Sequence, residues 1–272
     1  MAFAQTAARR PIAGAVATLG VSDRVAFLRK TYSLLGGALI VFAALSGGLI
    51  AYAPDLSWAM SRWMFTGGFL GAIVALAVFI GITTWAQRMT MSNTSRAVQY
   101  LGLGISVLAQ AAFLQPLLWL LLAVFGDHVV VSSHSMQTGA RHYAMHMNAQ
   151  TTAMILQAVV ITLSIFGGLT AVVFITKKDF SFLRGMMSIA TFALIGIGLA
   201  SFAFGGLGYT GAVLWFAAGA VVMGGYILWQ TSAIMSTVPP SAYVAAATML
   251  FTTIAALFRI VLQLVMMFSD RR

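Results

Sequence analysis

The stretch TTAMILQAVVITLSIFGGLTAVVFIT, residues 151–176, runs for 26 residues without one charged side chain. A helix of about 20 apolar residues crosses a hydrocarbon core of roughly 30 Å. Because lipid offers the backbone no hydrogen-bond partner, a spanning segment must be a helix or part of a closed barrel. Barrel strands alternate apolar and polar positions, whereas this stretch is continuously apolar. It therefore predicts a transmembrane helix.

Six further apolar blocks lie on either side of this one, at about 32–53, 65–86, 97–125, 184–205, 209–232 and 242–268. The block at 97–125 contains Pro116, at which a membrane helix can tilt or kink. Of all residues 61% are hydrophobic and 7% are charged, against about a quarter charged in a soluble domain. We predict an all-α integral membrane protein with seven transmembrane helices across residues 31–269, preceded by a basic tail at 1–30.

Fourteen of the 15 Lys and Arg residues flank the apolar blocks, and the net charge of the chain is +10. This placement is typical of topology signals and anionic lipid contacts, so we expect a lipid bilayer as partner and no nucleic acid. Ten of these residues lie on the side of the N-terminus and four on the other. The positive-inside rule then places the N-terminus inside and the tail in the cytoplasm. We expect a multi-pass protein of a bacterial inner membrane.

Ionisable groups inside the membrane are costly and are candidates for function. The chain has no Glu and no Cys, and its five acids lie in tails or loops: Asp23, Asp55, Asp127, Asp179 and Asp270. An intramembrane aspartyl protease or a carboxylate proton relay needs an acid at depth. We therefore predict no enzymatic activity and no cofactor. Arg259 is the exception, since it lies within the last block. It has either a functional role or a structural one, with its side chain extended toward the interface.

The polar loop at 126–150 contains all four histidines, together with Met136, Met145 and Met147. If its second half is helical, His142 and His146 lie one turn apart, a spacing that can chelate Zn²⁺, Cu²⁺ or Ni²⁺. No carboxylate joins the two histidines at that spacing. A metal site at His142 and His146 and a solvated loop therefore both stay open.

Several stretches resemble the Bax inhibitor-1 family. They are RVAFLRKTYSLLGGALIVFAALSG at 24–47, QAVVITLSIFGGLTAVVFITKKDFSFLRG at 157–185, GYILWQTS at 225–232 and AATMLFTTIAALF at 246–258. The most specific piece is the loop KKDFSFL at 177–183, which contains Lys177, Lys178 and Asp179. The resemblance implies seven helices with the last one central and the other six around it.

The resemblance also implies a function, because several members of the family are described as pH-sensitive Ca²⁺ leak channels gated by an aspartate pair. Matching the motifs places Gln230 and Thr253 at the two gate positions. Two nearby carboxylates share a proton and respond to pH, whereas an amide and a hydroxyl do not titrate. Arg259, about a turn and a half beyond Thr253, adds a charge that repels cations. We expect a Ca²⁺ or cation leak channel that has lost its pH-sensing carboxylate pair.

An alternative function follows from the same resemblance. Bacterial members are thought to modulate a membrane protease or a stress response, which requires a docking surface rather than a buried charge pair. The basic tail and the loop with Lys177, Lys178 and Asp179 are the candidate surfaces. The sequence leaves a leak channel and a non-conducting interaction protein both open.

Overall fold

A computed structural model describes residues 20–92, 95–127, 130–131, 143–144 and 147–269. The helices are α1 (Val21–Tyr52), α2 (Pro54–Thr66), α3 (Gly68–Thr90), α4 (Arg96–Phe125), α5 (Ala149–Thr176), α6 (Leu183–Ala203), α7 (Gly208–Ser236) and α8 (Tyr243–Ser269). Two short strands, β1 (Val130–Val131) and β2 (Tyr143–Ala144), form an antiparallel ribbon.

Seven of the described helices are long and apolar enough to cross a membrane, namely all except α2. This confirms the prediction of an all-α fold with seven spans. Helix α5 begins at a capping box, in which the Asn148 side chain accepts from the Thr151 amide and the Thr151 side chain contacts the Asn148 backbone. Helix α4 runs through Pro116 as one helix.

The seven spanning helices alternate in direction, and contacts between their ends define two sides of the bundle. On the side where α1 begins, called the N-terminal side here, Arg96 Nη1 donates to the Ser241 carbonyl oxygen at 2.9 Å. On the far side, Asn148 Nδ2 donates to the Phe125 carbonyl oxygen at 2.7 Å. The loops that the sequence assigns to opposite sides of the membrane thus lie at opposite ends of the bundle. That the N-terminal side faces the cytoplasm stays a prediction.

Helix α8 occupies the centre, as the family resemblance implies. It packs against α1, α3, α4, α5 and α7, while α6 packs on the outside of α7. Leu250, Phe251 and Leu257 are fully buried, and Phe42 of α1 lies edge-on to the Phe251 ring at 5.8 Å. Of its 27 residues, 16 are buried, as expected for a helix that other helices surround.

The outer surface of the bundle is apolar. Leu70, Ile189, Phe192 and Val221, on three peripheral helices, are each more than 70% exposed. Side chains of this size, exposed together on a soluble protein, would form patches that promote aggregation. Here they face the lipid, which confirms the bilayer as the surroundings of this multi-pass protein.

Helix α2 was not expected from the sequence, because its 13 residues are too short to span a membrane. It packs against α4 through a buried polar contact. Ser57 Oγ donates to Gln115 Oε1 at 2.7 Å, and Trp119 Nε1 donates to Ser57 Oγ at 2.8 Å. These three bonded groups fix the segment between the first two spans onto the bundle.

Candidate functional site

Gln230 and Thr253, which the family resemblance matched to gate positions, face each other across the α7–α8 seam. Gln230 Nε2 donates to Thr253 Oγ1 at 2.8 Å, and both side chains are buried. The Thr253 hydroxyl in turn donates to the Met249 carbonyl oxygen at 3.2 Å, one turn back in α8. The contact is therefore a neutral hydrogen bond from an amide to a hydroxyl, and that hydroxyl uses its own proton in the bond to Met249. Neither group carries a charge that pH can change.

Several buried polar atoms that form no hydrogen bond of normal geometry lie close to this pair in the described part of the chain. The Gln230 Oε1 atom accepts no hydrogen bond. The Tyr32 hydroxyl of α1 faces Thr170 of α5 and Thr231 of α7, and none of these three hydroxyls has a hydrogen bond of normal geometry. Buried polar atoms of this kind are usually satisfied by ordered water. The region between the seam and the N-terminal side is therefore polar enough to hold water.

Arg259 lies six residues beyond Thr253, on a side of α8 that faces α3 and α4. Its Nη1 atom donates to Gln110 Oε1 of α4. Its guanidinium lies over the rings of Phe79 and Phe113, 5.3 and 5.1 Å from their centroids. Those two rings stack on each other at 4.0 Å. The charge is thus held at depth by a neutral amide and two aromatic faces rather than by a carboxylate.

The loop at 177–183 has a defined conformation. Lys177 ends α5 with a left-handed backbone, φ 50°, and Asp179 Oδ1 accepts from the Ser181 amide at 2.8 Å. The Phe180 amide donates to Ser232 Oγ of α7 at 3.2 Å. Ser232 lies two residues from Gln230, so the loop is attached next to the Gln230–Thr253 contact. Lys177, Lys178 and Asp179 themselves are exposed.

An aromatic cluster on the N-terminal side was missed from the sequence. The Arg96 guanidinium lies 5.0 Å from the ring centroid of Tyr243, and the Lys30 ammonium lies 6.0 Å from it. The hydroxyls of Tyr243 and Tyr100 are hydrogen-bonded at 3.0 Å. The cluster joins the starts of α1, α4 and α8. Its only signal in the sequence is that basic and aromatic residues stand at the same ends of three blocks.

The metal-site hypothesis at His142 and His146 stays a prediction. In the 126–150 loop the structure describes a short antiparallel ribbon, in which Tyr143–Ala144 pair with Val130–Val131. His142 and His146 themselves lie outside the described residues. Among those that are described, no cluster of His, Cys, Asp or Glu could hold a metal ion.

The fold and the seam define a class, that of seven-helix membrane proteins with a central last helix. A family model described as Inhibitor of apoptosis-promoting Bax1 matches residues 133–270. The chain is also similar to the Bax inhibitor 1 protein of Schizosaccharomyces pombe, with 26% identity over 263 residues that cover 94% of this chain and 81% of the yeast protein. The chain belongs to the Bax inhibitor-1 family.

Proposed function

We propose that this protein supports a slow cation leak along the α7–α8 seam, with Ca²⁺ among the ions transported, and that the leak does not respond to pH. The observation that carries the proposal is the hydrogen bond between Gln230 and Thr253. It stands where the family resemblance implies a pair of aspartates. An amide and a hydroxyl keep the same charge throughout the physiological range, so nothing at this contact can sense protons.

The energetics of the contact favour a leak over a tight seal. A neutral hydrogen bond between side chains contributes a net stability of about 0.5–1.5 kcal/mol. Opening the contact replaces this bond with hydrogen bonds to water, so the free-energy cost of opening is small. The unpartnered oxygen of Gln230 and the hydroxyls of Tyr32, Thr170 and Thr231 lie ready to bind that water. They support a hydrated path that reaches the contact from the N-terminal side.

Arg259 limits which cations pass through the proposed leak. It lies about 9 Å beyond Thr253 along the axis of α8, and it donates a hydrogen bond to the neutral Gln110. A fixed positive charge near a narrow path repels a divalent cation twice as strongly as a monovalent one. We therefore expect the leak to be small for Ca²⁺ and larger for K⁺.

Reconstitution of the full chain into liposomes tests this proposal. The wild-type protein should raise Ca²⁺ flux above that of protein-free liposomes, by the same amount at pH 6, 7 and 8. Thr253→Val removes the acceptor of Gln230 and should increase the flux. Thr252→Val is the matched control, because the Thr252 hydroxyl bonds only within its own helix, to the Met249 carbonyl oxygen. Flux that changes several-fold with pH in the wild type would overturn the proposal.

A second function, that of an interaction protein, is favoured by the loop at 177–183. Its hydrogen bonds to α7 hold it in one conformation, and it exposes Lys177, Lys178 and the Phe182 ring, which is 63% exposed. A rigid basic surface with an exposed aromatic ring is well suited to contact a membrane protein such as a protease. A photoreactive residue placed at Phe182 in cells should then crosslink to one protein partner. Crosslinks to lipid alone would argue against this role.

We also propose a location in a bacterial inner membrane with the N-terminal side in the cytoplasm, supported by the Lys and Arg of that side, and no catalytic role. The chain lacks cysteine, so single introduced thiols report the orientation. Lys178→Cys should react with a membrane-impermeant maleimide only after cell lysis, whereas Gly206→Cys should react in intact spheroplasts. The reverse pattern would invert the orientation.

A further inference from the structure

A cavity of about 580 Å³ lies between α1, α4, α5 and α8, and neither Gln230 nor Thr253 lines it. Helices α1 and α5 touch on the N-terminal side, where the Tyr32 ring lies 6.4 Å from Phe166 and 6.2 Å from Phe174. Toward the far side both helices line the cavity, with α4 and α8 as its floor, at Leu118 and Phe258 among others. We call this space the α1/α5 crevice.

The crevice has the length of one bilayer leaflet. Its lining extends from Gly36 to Gly47 on α1 and from Thr152 to Leu163 on α5. Eleven residues of helix rise about 17 Å, close to the roughly 15 Å of hydrocarbon in one leaflet. Ile40 and Leu156 form its two rims and are 71% and 58% exposed. The crevice therefore opens sideways, into the leaflet of the far side.

The chemistry of the lining selects the occupant. No charged side chain lines the crevice, so the carboxylate of a free fatty acid would be buried there without a cationic partner, at high cost. Two buried hydroxyls, those of Ser46 and Thr162, line it and have no hydrogen-bond partner among the described residues. Ser46 lies about 9 Å below the end of α1, where an ester group of a lipid can reach its hydroxyl.

A helix of a second copy fits the lining less well than a lipid does. Its backbone carbonyls are already bonded within the helix, so its apolar face offers no acceptor to the Ser46 and Thr162 hydroxyls. A lipid chain is thinner than a helix and brings no backbone polar groups into the crevice. We propose that the α1/α5 crevice binds an acyl chain of a phospholipid from the far-side leaflet, with its headgroup outside the bundle and its ester group near Ser46.

Glycines in α1 provide a matched pair of variants. A Cβ atom added at Gly36, Gly37, Gly47 or Gly48 meets no atom within 4 Å. Gly36 and Gly47 line the crevice, whereas Gly37 and Gly48 do not. G36L/G47L therefore fills the crevice. G37L/G48L makes the same chemical change on an adjacent face of α1, about 100° away.

The test uses the full chain in nanodiscs that contain a phosphatidylcholine with a diazirine in one acyl chain. In the wild type and in G37L/G48L, photocrosslinks should concentrate on 36–47 and 152–163, above those on the lipid-facing Ile189 and Phe192 of α6. In G36L/G47L these crosslinks should fall by at least about tenfold, the loss expected when room for two methylene groups is removed.

Native mass spectrometry of the protein released from the nanodiscs identifies the occupant. One retained phospholipid on the wild type and on G37L/G48L, absent from G36L/G47L, supports the proposal. A retained mass of a free fatty acid would overturn it. Wild-type crosslinks spread evenly over the far-side surface would also overturn it, and that outcome does not depend on whether G36L/G47L folds.

Discussion

Thr253 and Arg259 lie six residues apart on the central helix, about 9 Å along its axis, and their contacts differ in kind. Thr253 accepts a hydrogen bond from Gln230, and both groups are neutral. Arg259 places a full charge inside the bundle and contacts the Gln110 amide and two phenyl rings. A neutral contact can open at small cost, whereas a charge held in a medium of low dielectric acts on every ion that passes. For the proposed leak we therefore expect Arg259, and not the Gln230–Thr253 contact, to set which ions pass.

The largest effect is expected from Arg259→Gln, which removes the charge and keeps a donor for Gln110. A divalent ion beside Thr253 then escapes a repulsion on the order of 4 kcal/mol at an effective dielectric constant of about 20. Ca²⁺ flux into liposomes should rise at least about tenfold, and K⁺ flux by a smaller factor. Arg259→Lys keeps the charge and should stay close to the wild type. An equal rise in both variants would show that the charge is not what limits the flux.

A smaller effect is expected when the neutral contact is broken. Thr253→Val leaves the buried Gln230 amide without a partner and should lower the free energy of unfolding by about 1–3 kcal/mol. Gln230→Leu should cost less, because the Thr253 hydroxyl keeps its bond to Met249. The double variant removes both partners and should be nearly as stable as Gln230→Leu alone. Unfolding in denaturant measures all three, and strictly additive losses would contradict a direct hydrogen bond.

The smallest effect is expected at Ser232, which fixes the loop at 177–183 two residues from Gln230. Ser232→Ala removes the acceptor of the Phe180 amide and should cost about 0.5–1.5 kcal/mol. Hydrogen exchange at Phe180 should become faster, while Ca²⁺ flux stays at the wild-type level. Ser236→Ala is the control, since its hydroxyl bonds within α7 to the Ser232 carbonyl oxygen. A changed flux in Ser232→Ala would show that the loop at 177–183 is coupled to the α7–α8 seam.

The seven spans could be predicted because a membrane requires long apolar blocks, and the blocks at 151–176 and 242–268 correspond to α5 and α8 within a few residues. Helix α2 could not be predicted in this way, since a short helix at the membrane edge needs no such block. The position of Ser57 between Gln115 and Trp119 depends on residues about 60 positions apart in the chain. A single sequence gives no signal for that contact.

The site was predicted in part. Matching the motifs selected Gln230 and Thr253, and the structure brings the two side chains together, although their role in conduction stays a prediction. Arg259 stood out as a charge within an apolar block, but its partner Gln110 lies 149 positions away. No sequence pattern indicated the α1/α5 crevice. It forms where α1 and α5 separate, and each of these helices has the pattern of an ordinary span.

We propose that a neutral contact at Gln230 and Thr253 has replaced a proton-sensing one, so carboxylates at both positions should restore a response to pH. Ca²⁺ flux into liposomes would be measured from pH 6 to pH 8 for the wild type and for Gln230→Asp/Thr253→Asp. Gln230→Asn/Thr253→Ser serves as a neutral control. We predict a flux that is flat with pH in the wild type and the control and that changes several-fold in the aspartate variant, because two adjacent carboxylates titrate in this range. A wild-type flux that already varies with pH, or an aspartate variant as flat as the control, would contradict the claim.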